Sequence, residues 1–427
     1  VRIGLLRVTG ISVADTVGRS ARDDVLALAL VLALALVLVL EPGVIASINK
    51  SSNAFCIIEE LLLFIDIKVI HVYFYIIIMD LTQYQNKGYT GLSNLGNTCF
   101  LNASMQVLNH TYELAELLNR KKYVKHIKVS QPEAAILAEW TNLREVMWAN
   151  NGVVSPNRFV YHIHRLARAK NRDIFTGWAQ NDMPEFLLFM IECMHNSISR
   201  SINMRILGNV ENEIDRRATE CYGMLQKIYL KEYSEIMDMF YGICISEIIS
   251  MDGQILHSIK PEHFFILDME LPSADVQNPS LYDCLDSYTK YEVLEGENAW
   301  FNEKTNQKEN IKKRITFWNF PKILVITLKR FSPCGTYKNG GLIQFPLNDL
   351  DLSKYMSGYN ASHYKYDLYG VCNHMGGTQG GHYTSYIKNA TNEWIHYDDS
   401  SVSIIKEEEV VSNMAYCLFY RKKNNPV

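Results

Sequence analysis

The residues with the clearest chemical use lie in one stretch, 91–102, which reads Gly-Leu-Ser-Asn-Leu-Gly-Asn-Thr-Cys-Phe-Leu-Asn. It sets Cys99 where a turn enters a helix. Free amide N–H groups and the positive end of the helix dipole favour a thiolate there and lower the cysteine's pKa, which makes the sulfur a nucleophile. Gly91 and Gly96 allow backbone turns that a β-branched residue would resist. Asn94, five residues earlier, offers a side-chain amide to an oxyanion forming on an attacked carbonyl. A lone cysteine after a glycine turn is more often a packed core residue, so the case for chemistry rests on its surroundings.

Those residues resemble the cysteine box of the ubiquitin-specific proteases, the papain-like deubiquitinases, and the family's further boxes follow in its order. Residues 178–188, Trp-Ala-Gln-Asn-Asp-Met-Pro-Glu-Phe-Leu-Leu, are similar to its glutamine box. Residues 324–331, Leu-Val-Ile-Thr-Leu-Lys-Arg-Phe, resemble its Leu-Lys-Arg-Phe strand. Residues 376–386, Gly-Gly-Thr-Gln-Gly-Gly-His-Tyr-Thr-Ser-Tyr, look like its histidine box, and the stretch 366–374 before them ends in His374 as the family's does. Residues 394–402, Trp-Ile-His-Tyr-Asp-Asp-Ser-Ser-Val, look like its closing box. The resemblance covers about 89–422, the expected catalytic domain.

The resemblance implies a division of labour. Cys99 is the nucleophile toward the carbonyl of a Gly-terminated isopeptide or peptide bond. His382 is the base that holds the thiolate and then protonates the departing lysine amine. Asp398, sixteen residues later, orients the imidazole and stabilises its charged form. That interval suits a strand, a turn and a return strand. Asp399 is a neighbour with a supporting role. Gly380 and Gly381 let the backbone lie close to the substrate tail, and Tyr383 flanks a channel that admits only Gly-Gly. Gln180 and Asp182 become contacts for the ubiquitin tail, although helix capping and first-turn charge would equally explain their types. His374 becomes a substrate contact, and Phe331 either core or cleft wall. Catalysis needs no cofactor. The partners are ubiquitin and ubiquitinated proteins, engaged by a monomer.

Two departures from the family stand out. Many members bind zinc through two Cys-x-x-Cys pairs in a fingers subdomain, but here those positions are Ser250 and Gly253, then Asn302 and Thr305. None can be a thiolate ligand, so no structural zinc is expected, and packing and strand pairing alone must hold short or mobile fingers. The glutamine box carries Asn181 and Pro184, and Pro184 suits the first turn of a helix starting near Asn181 or Asp182.

Positioning these residues requires helices early and strands late. Leu101, Met105, Leu108 and Tyr112 recur at helical spacing behind Asn97 and Thr98, good capping types. Phe186, Phe189, Met190 and Met194 mark a second helix. Strand patterns cover 323–328, 366–371, 382–387 and 394–397, and the polar stretch 298–314 reads as an exposed loop or hairpin tip. The expected class is α+β, a papain-like cysteine protease fold with a cleft between a helical thumb and a sheet palm, plus reduced fingers. Phe240, Tyr241, Phe264 and Phe265 read as core. His162 and His164, two apart, could share a metal only on a strand and with further ligands.

Composition sets the outer limits. The 427 residues are 48% hydrophobic and 21% charged, which describes a globular protein. Lys and Arg number 42 against 46 Asp and Glu, so there is no basic field for nucleic acid. Nine cysteines without a Cys-x-x-Cys argue against a disulfide framework and for a reducing compartment, cytoplasmic or nuclear. No Gly-rich phosphate loop follows a strand. Residues 1–78 differ in texture. The run 25–40 is uninterrupted Val, Leu and Ala, and a second apolar run covers 67–79. At about 1.5 Å per residue the first is slightly short of a hydrocarbon core of roughly 30 Å. A membrane anchor is one reading. A secretory signal fits poorly, with Asp23 and Asp24 against the run. The favoured reading is translation upstream of a start at Met79. The rivals to an active deubiquitinase are a silent ubiquitin-binding module and a protease for another Gly-Gly-ended modifier.

Overall fold

The structure, a computed structural model, describes residues 7–9, 81–149, 151–172, 175, 181–273, 275–378 and 380–423. The apolar runs 25–40 and 67–79, and Gln180, lie outside the described residues. The chain divides into two units, and every described residue belongs to the one made of Val1–Thr9 and Leu81–Val427. Among the described residues no helix is long and apolar enough to cross a membrane.

The helical part opens with a short strand, β1 (Thr90–Leu92), followed by α1 (Cys99–Asn109), α2 (Tyr112–Asn119) and α3 (Glu133–Ala149). Strand β2 (Gly152–Val154) pairs in parallel with β1 and leads into α4 (Asn157–Ala169), α5 (Met183–Ile198), α6 (Glu213–Tyr229) and α7 (Glu235–Phe240). Every residue of α1 is buried, so this is a core helix whose polar side chains must bond inside the protein. Gln106 donates to the Thr90 carbonyl at 2.7 Å, and Ser104 to the Phe100 carbonyl at 2.8 Å. Phe100 of α1 meets Phe186 of α5 edge to face at 5.2 Å, a contact worth about 0.5–1.5 kcal/mol beyond burial.

Two details of this part differ from expectation. Tyr112 does not continue α1 but opens α2, because Thr111 turns its hydroxyl back onto the Val107 carbonyl (3.0 Å) and the helix ends. Thr98 occupies the N-cap position of α1 without capping it. Its hydroxyl accepts from the Leu95 N–H at 2.8 Å and so closes the preceding turn, where Asn97 takes the left-handed conformation at φ +52°. His162 and His164 both lie on α4, so no strand geometry joins them.

The later chain supplies β3 (Gly242–Ser250), β4 (Leu256–Phe264), β5 (Ile266–Glu270), α8 (Leu281–Thr289) and β6 (Glu292–Leu294). Then come β7 (Ile311–Asn319), β8 (Ile323–Lys329), β9 (Lys365–Gly377), β10 (Gly380–Lys388), β11 (Trp394–Asp398), β12 (Ser401–Ile405) and β13 (Ala415–Lys422). The main sheet has eight strands, in the order β12-β11-β10-β9-β13-β8-β5 with Leu350–Asp351 added on β9. Strand β8 reads Ile-Leu-Val-Ile-Thr-Leu-Lys and is buried up to its last residue, as a central strand covered on both faces must be.

The second, distal sheet has the strand order β4-β3-β7-β6. Its three long strands run nine residues each. Packing and pairing alone do not hold them. Glu247 on β3, 1% exposed, accepts from Arg217 of α6 at 2.5 Å and from its cross-strand partner Arg314 of β7 at 2.9 Å. The four positions of the missing cysteines are occupied by hydrogen-bonded turns. The Ser250 hydroxyl accepts from the Ile255 N–H at 2.9 Å and bonds Asp252, while Gly253 takes φ +79°. Asn302 and Thr305 both donate to Glu309, at 2.9 and 2.6 Å, within a hairpin of Trp300–Asn302 and Gln307–Glu309. The stretch 298–314 is therefore that hairpin followed by the first residues of β7.

Candidate active site

Strand register explains how the site assembles. Ser385 on β10 faces Tyr397 on β11, so continuing the antiparallel register sets Asp398 opposite Thr384. His382 lies two residues from Thr384 and shares its face of the sheet, diagonal to Asp398. His382 Nε2 and Asp398 Oδ1 stand 2.6 Å apart. With Nε2 carrying the proton toward the carboxylate, Nδ1 is the ring nitrogen left to face a nucleophile.

Cys99 is the first residue of α1, and α1 packs on β10. Burial pushes the Cys99 thiol pKa up and the charge of Asp399 adds to the rise, while the main-chain N–H groups of Tyr383, the residue after His382, and of the first turn of α1 oppose it. The expected lowering is thus corrected. Desolvation outweighs the helix terminus, and a thiolate needs a charged imidazole beside it.

A second carboxylate ties the loops together. Asp399, left-handed at φ +49°, accepts from Asn94 Nδ2 at 2.8 Å and from Asn102 Nδ2 at 2.7 Å, while its carbonyl accepts from the Leu92 N–H at 2.8 Å. Asn94 also uses its Oδ1, which accepts from the N–H groups of Gly96 (2.9 Å) and Thr98 (3.2 Å). One hydrogen of the Asn94 amide remains for an oxyanion. Gly96 makes the expected turn at φ +98°, but Gly91 has another duty. A Cβ there would come 2.4 Å from the Ser400 carbonyl oxygen, so glycine is what lets the loop before Cys99 approach the turn after Asp399.

Four rings, of His374, Phe331, Tyr383 and Tyr416, form one cluster. His374 is buried, its ring 5.4 Å from Phe331, 4.7 Å from Tyr383 and 5.9 Å from Tyr416. Burial lowers its pKa to about 4, aided by Lys338 and His382, so the ring is neutral. Phe331 is half-buried and packs against the main hydrophobic core. Gly381 gives its space to the His374 ring, since a Cβ would lie 2.2 Å from Nε2. Gly380 starts β10. A cavity of about 530 Å³ opens beside His374, lined by Lys338, Met375, Gly376, Asn413 and Met414 among others.

Asp182 precedes α5 without capping it. Its Oδ2 instead accepts from the Tyr416 hydroxyl at 3.1 Å. Burial raises its pKa to about 6, with Glu185 and Asp268 adding to the rise and Tyr416 opposing it. Sequence reasoning passed over three residues of the site. Asn102 lies inside the cysteine box and was readable there as a donor. Tyr416 and Lys338, whose Nζ donates to the His374 carbonyl at 2.6 Å, come from segments with no motif. Among the described residues, the one grouping with ligand atoms near enough for a metal ion is His382, Asp398 and Asp399, within 4.8 Å. Hydrogen bonds already engage Asp398 and both oxygens of Asp399.

The chain is similar to known proteins. The chain is 35% identical over 348 residues to ubiquitin carboxyl-terminal hydrolase 2 of Bos taurus, covering 80% of this chain and 56% of that protein. It is 32% identical over 362 residues to ubiquitin carboxyl-terminal hydrolase 21 of Mus musculus, covering 80% and 62%. The chain thus spans little more than half the length of the hydrolase 2 relative. Among solved structures it resembles a SAGA DUB module of Ubp8, Sgf11, Sus1 and Sgf73 bound to monoubiquitin, with TM-score 0.61 and 23% identity over 84% of this chain and 75% of that one. The same module bound to ubiquitin aldehyde gives TM-score 0.62 and 24% identity, over 81% and 72%. The fold is the expected α+β, papain-like one. The family model described as ubiquitin carboxyl-terminal hydrolase matches residues 90–420, from the strand before Cys99 into the last strand of the main sheet, and the chain belongs to that family.

Proposed function

We propose that this chain is an active thiol-dependent deubiquitinase, hydrolysing isopeptide or peptide bonds at the C-terminal glycine of ubiquitin. The observation that carries the reading is the join of helix and sheet: α1, which starts at Cys99, packs on β10, whose His382 stands 2.6 Å from Asp398. His382 Nδ1 takes the Cys99 proton, and the sulfur attacks the glycine carbonyl carbon. The free hydrogen of the Asn94 amide meets the oxyanion. As the C–N bond breaks, the imidazolium gives its proton to the leaving lysine amine, and a thioester remains. Water, giving a proton to His382, then attacks the thioester and releases a carboxylate and the thiol.

Ubiquitin and ubiquitinated proteins are the partners on this reading, with Asp182, Phe331, His374 and Tyr383 along the tail, and the enzyme works as a monomer in the cytoplasm or nucleus, where thiols stay reduced. The test is hydrolysis of ubiquitin carrying a fluorogenic amide at its C-terminus, beside the same amide on other Gly-Gly-ended modifiers. Turnover of the ubiquitin substrate, lost in Cys99→Ala, supports the proposal. Turnover of a different modifier alone would overturn the substrate, and none at all the activity.

A further inference from the structure

Just past the end of β8 the chain buries a cation that the reaction does not use. Arg330 is 1% exposed, and its guanidinium is held by main-chain carbonyls instead of a carboxylate. Nε donates to the Ala415 carbonyl at 2.7 Å, while Nη1 donates to those of Asn339 at 3.0 Å and Gly341 at 2.7 Å. Nη2 is buried without an acceptor. The Arg330 carbonyl in turn accepts from the Asn339 N–H at 2.6 Å, so a strap, 331–338, leaves and returns at one point. Phe331 and Lys338 pair across it as an antiparallel bridge.

The residues joined in this way are chain neighbours of the ring cluster around His374. Phe331 follows Arg330 itself, and Tyr416 follows Ala415. Lys338 precedes Asn339, and its Nζ donates to the His374 carbonyl at 2.6 Å. A planar guanidinium reaches carbonyls on two sides at once, which the single ammonium of a lysine does not. None of the three carbonyls belongs to Cys99, Asn94, His382 or Asp398 or to a residue next to one of them. Loss of the fork therefore shifts the rings and leaves the reacting groups in place. We propose, on the reading that these rings line the ubiquitin tail, that Arg330 is a positioning residue. It ties the strap to the start of β13, spaces Phe331 and Tyr416 around His374, and so sets the affinity for ubiquitin and not the rate of the chemical step.

The experiment titrates ubiquitin into the whole chain carrying Cys99→Ala, with and without Arg330→Lys, and measures kcat and KM on a ubiquitin C-terminal amide with Cys99 in place. Arg330→Lys should weaken binding about fivefold, the net worth of one hydrogen bond, and raise KM to match, with kcat within about twofold of the parent. Because that buried change can unfold the sheet, Asn339→Ala provides a second test. Asn339 is exposed and its Oδ1 accepts from the Gly341 N–H at 2.9 Å, so its loss loosens the turn that presents two of the carbonyls. It should weaken binding by about twofold without slowing kcat. Unchanged affinity in folded Arg330→Lys, or in Asn339→Ala where Arg330→Lys does not fold, would overturn the assignment, as would a fall in kcat at unchanged affinity. Weakened binding in the variants of a parent that turns over no ubiquitin amide would overturn the hydrolase activity and support the role of Arg330. A parent that does not bind ubiquitin would overturn both.

Discussion

The cleft and the tip of the distal sheet have the same task, to keep loops in one geometry, and each uses a carboxylate that gathers hydrogen bonds. At the cleft Asp399 gathers Asn94 and Asn102, which lie 305 and 297 residues away in sequence. At the tip Glu309 gathers Asn302 and Thr305, only 7 and 4 residues away. The difference in span matters more than the likeness in chemistry. A local knot can be tied by any set of side chains that closes a turn, so thiolates and zinc can give way to an amide, a hydroxyl and a carboxylate. The long-range knot fixes the relation of the loop before Cys99 to the turn after Asp398, and on the proposed function it cannot be replaced without moving the chemistry. Damage at the cleft should therefore appear in turnover, and damage in the distal sheet in stability and in the hold on ubiquitin.

The largest expected effect is at the nucleophile. Cys99→Ala should reduce hydrolysis by roughly 10⁴-fold or more, as loss of a triad member does, while ubiquitin binding measured by titration stays near the parent value. Next comes the long-range knot. Asp399→Ala leaves the Asn94 and Asn102 amides without their acceptor, so kcat should fall about 100-fold with little change in KM, and urea unfolding should show a loss of about 1.5–3 kcal/mol. Normal kcat in that variant would mean that Asp399 is a bystander.

Asp182 sharpens the comparison from the substrate side. Its folded pKa of about 6 lies above the ordinary 3.8, so its carboxylate form costs stability at pH above 6, and that cost fades as pH falls from 6 toward 4. Asp182→Asn should then match or exceed the parent in thermal stability at pH 7.5 or so, with the gap closing toward about pH 4, while kcat/KM drops about tenfold. A variant that lost stability at neutral pH would show Asp182 to be structural.

The distal sheet should answer differently. Glu247→Leu strands Arg217 and Arg314, but both keep some access to water, so the loss should be about 2 kcal/mol rather than the 3–5 of a fully buried pair. Hydrolysis of a short peptide amide ending in Gly-Gly should be unchanged, and that of whole ubiquitin reduced a few-fold through KM. A loss of kcat on the short substrate would break the distinction between the two regions. The smallest effect belongs to chelation: EDTA or phenanthroline should leave melting temperature and turnover as they were, and unfolding on chelation would show that a metal holds the tip after all.

How far the sequence could be read follows the same division. The start of α1 at Cys99, the strand for 323–328 and the short interval between His382 and Asp398 were all legible, because periodicity and loop length are local properties. The break between Leu108 and Tyr112 was hidden, since one threonine hydroxyl ends the helix without disturbing the apolar spacing. The upward shift of Cys99 was hidden too, because burial depends on what packs around the sulfur and no motif reports it. Glu247 looked like any strand glutamate until its two arginines arrived from α6 and β7. Asp399 was readable only as the neighbour of Asp398, although its amide donors both stood in the cysteine box.

The most direct test of the central claim is intact mass after residues 79–427 are mixed with ubiquitin carrying a C-terminal electrophile, alongside the same protein with Cys99→Ala. The account predicts an adduct of one ubiquitin on the parent and none on the variant. A folded parent that gains no mass, or a variant that gains the same mass, would contradict it.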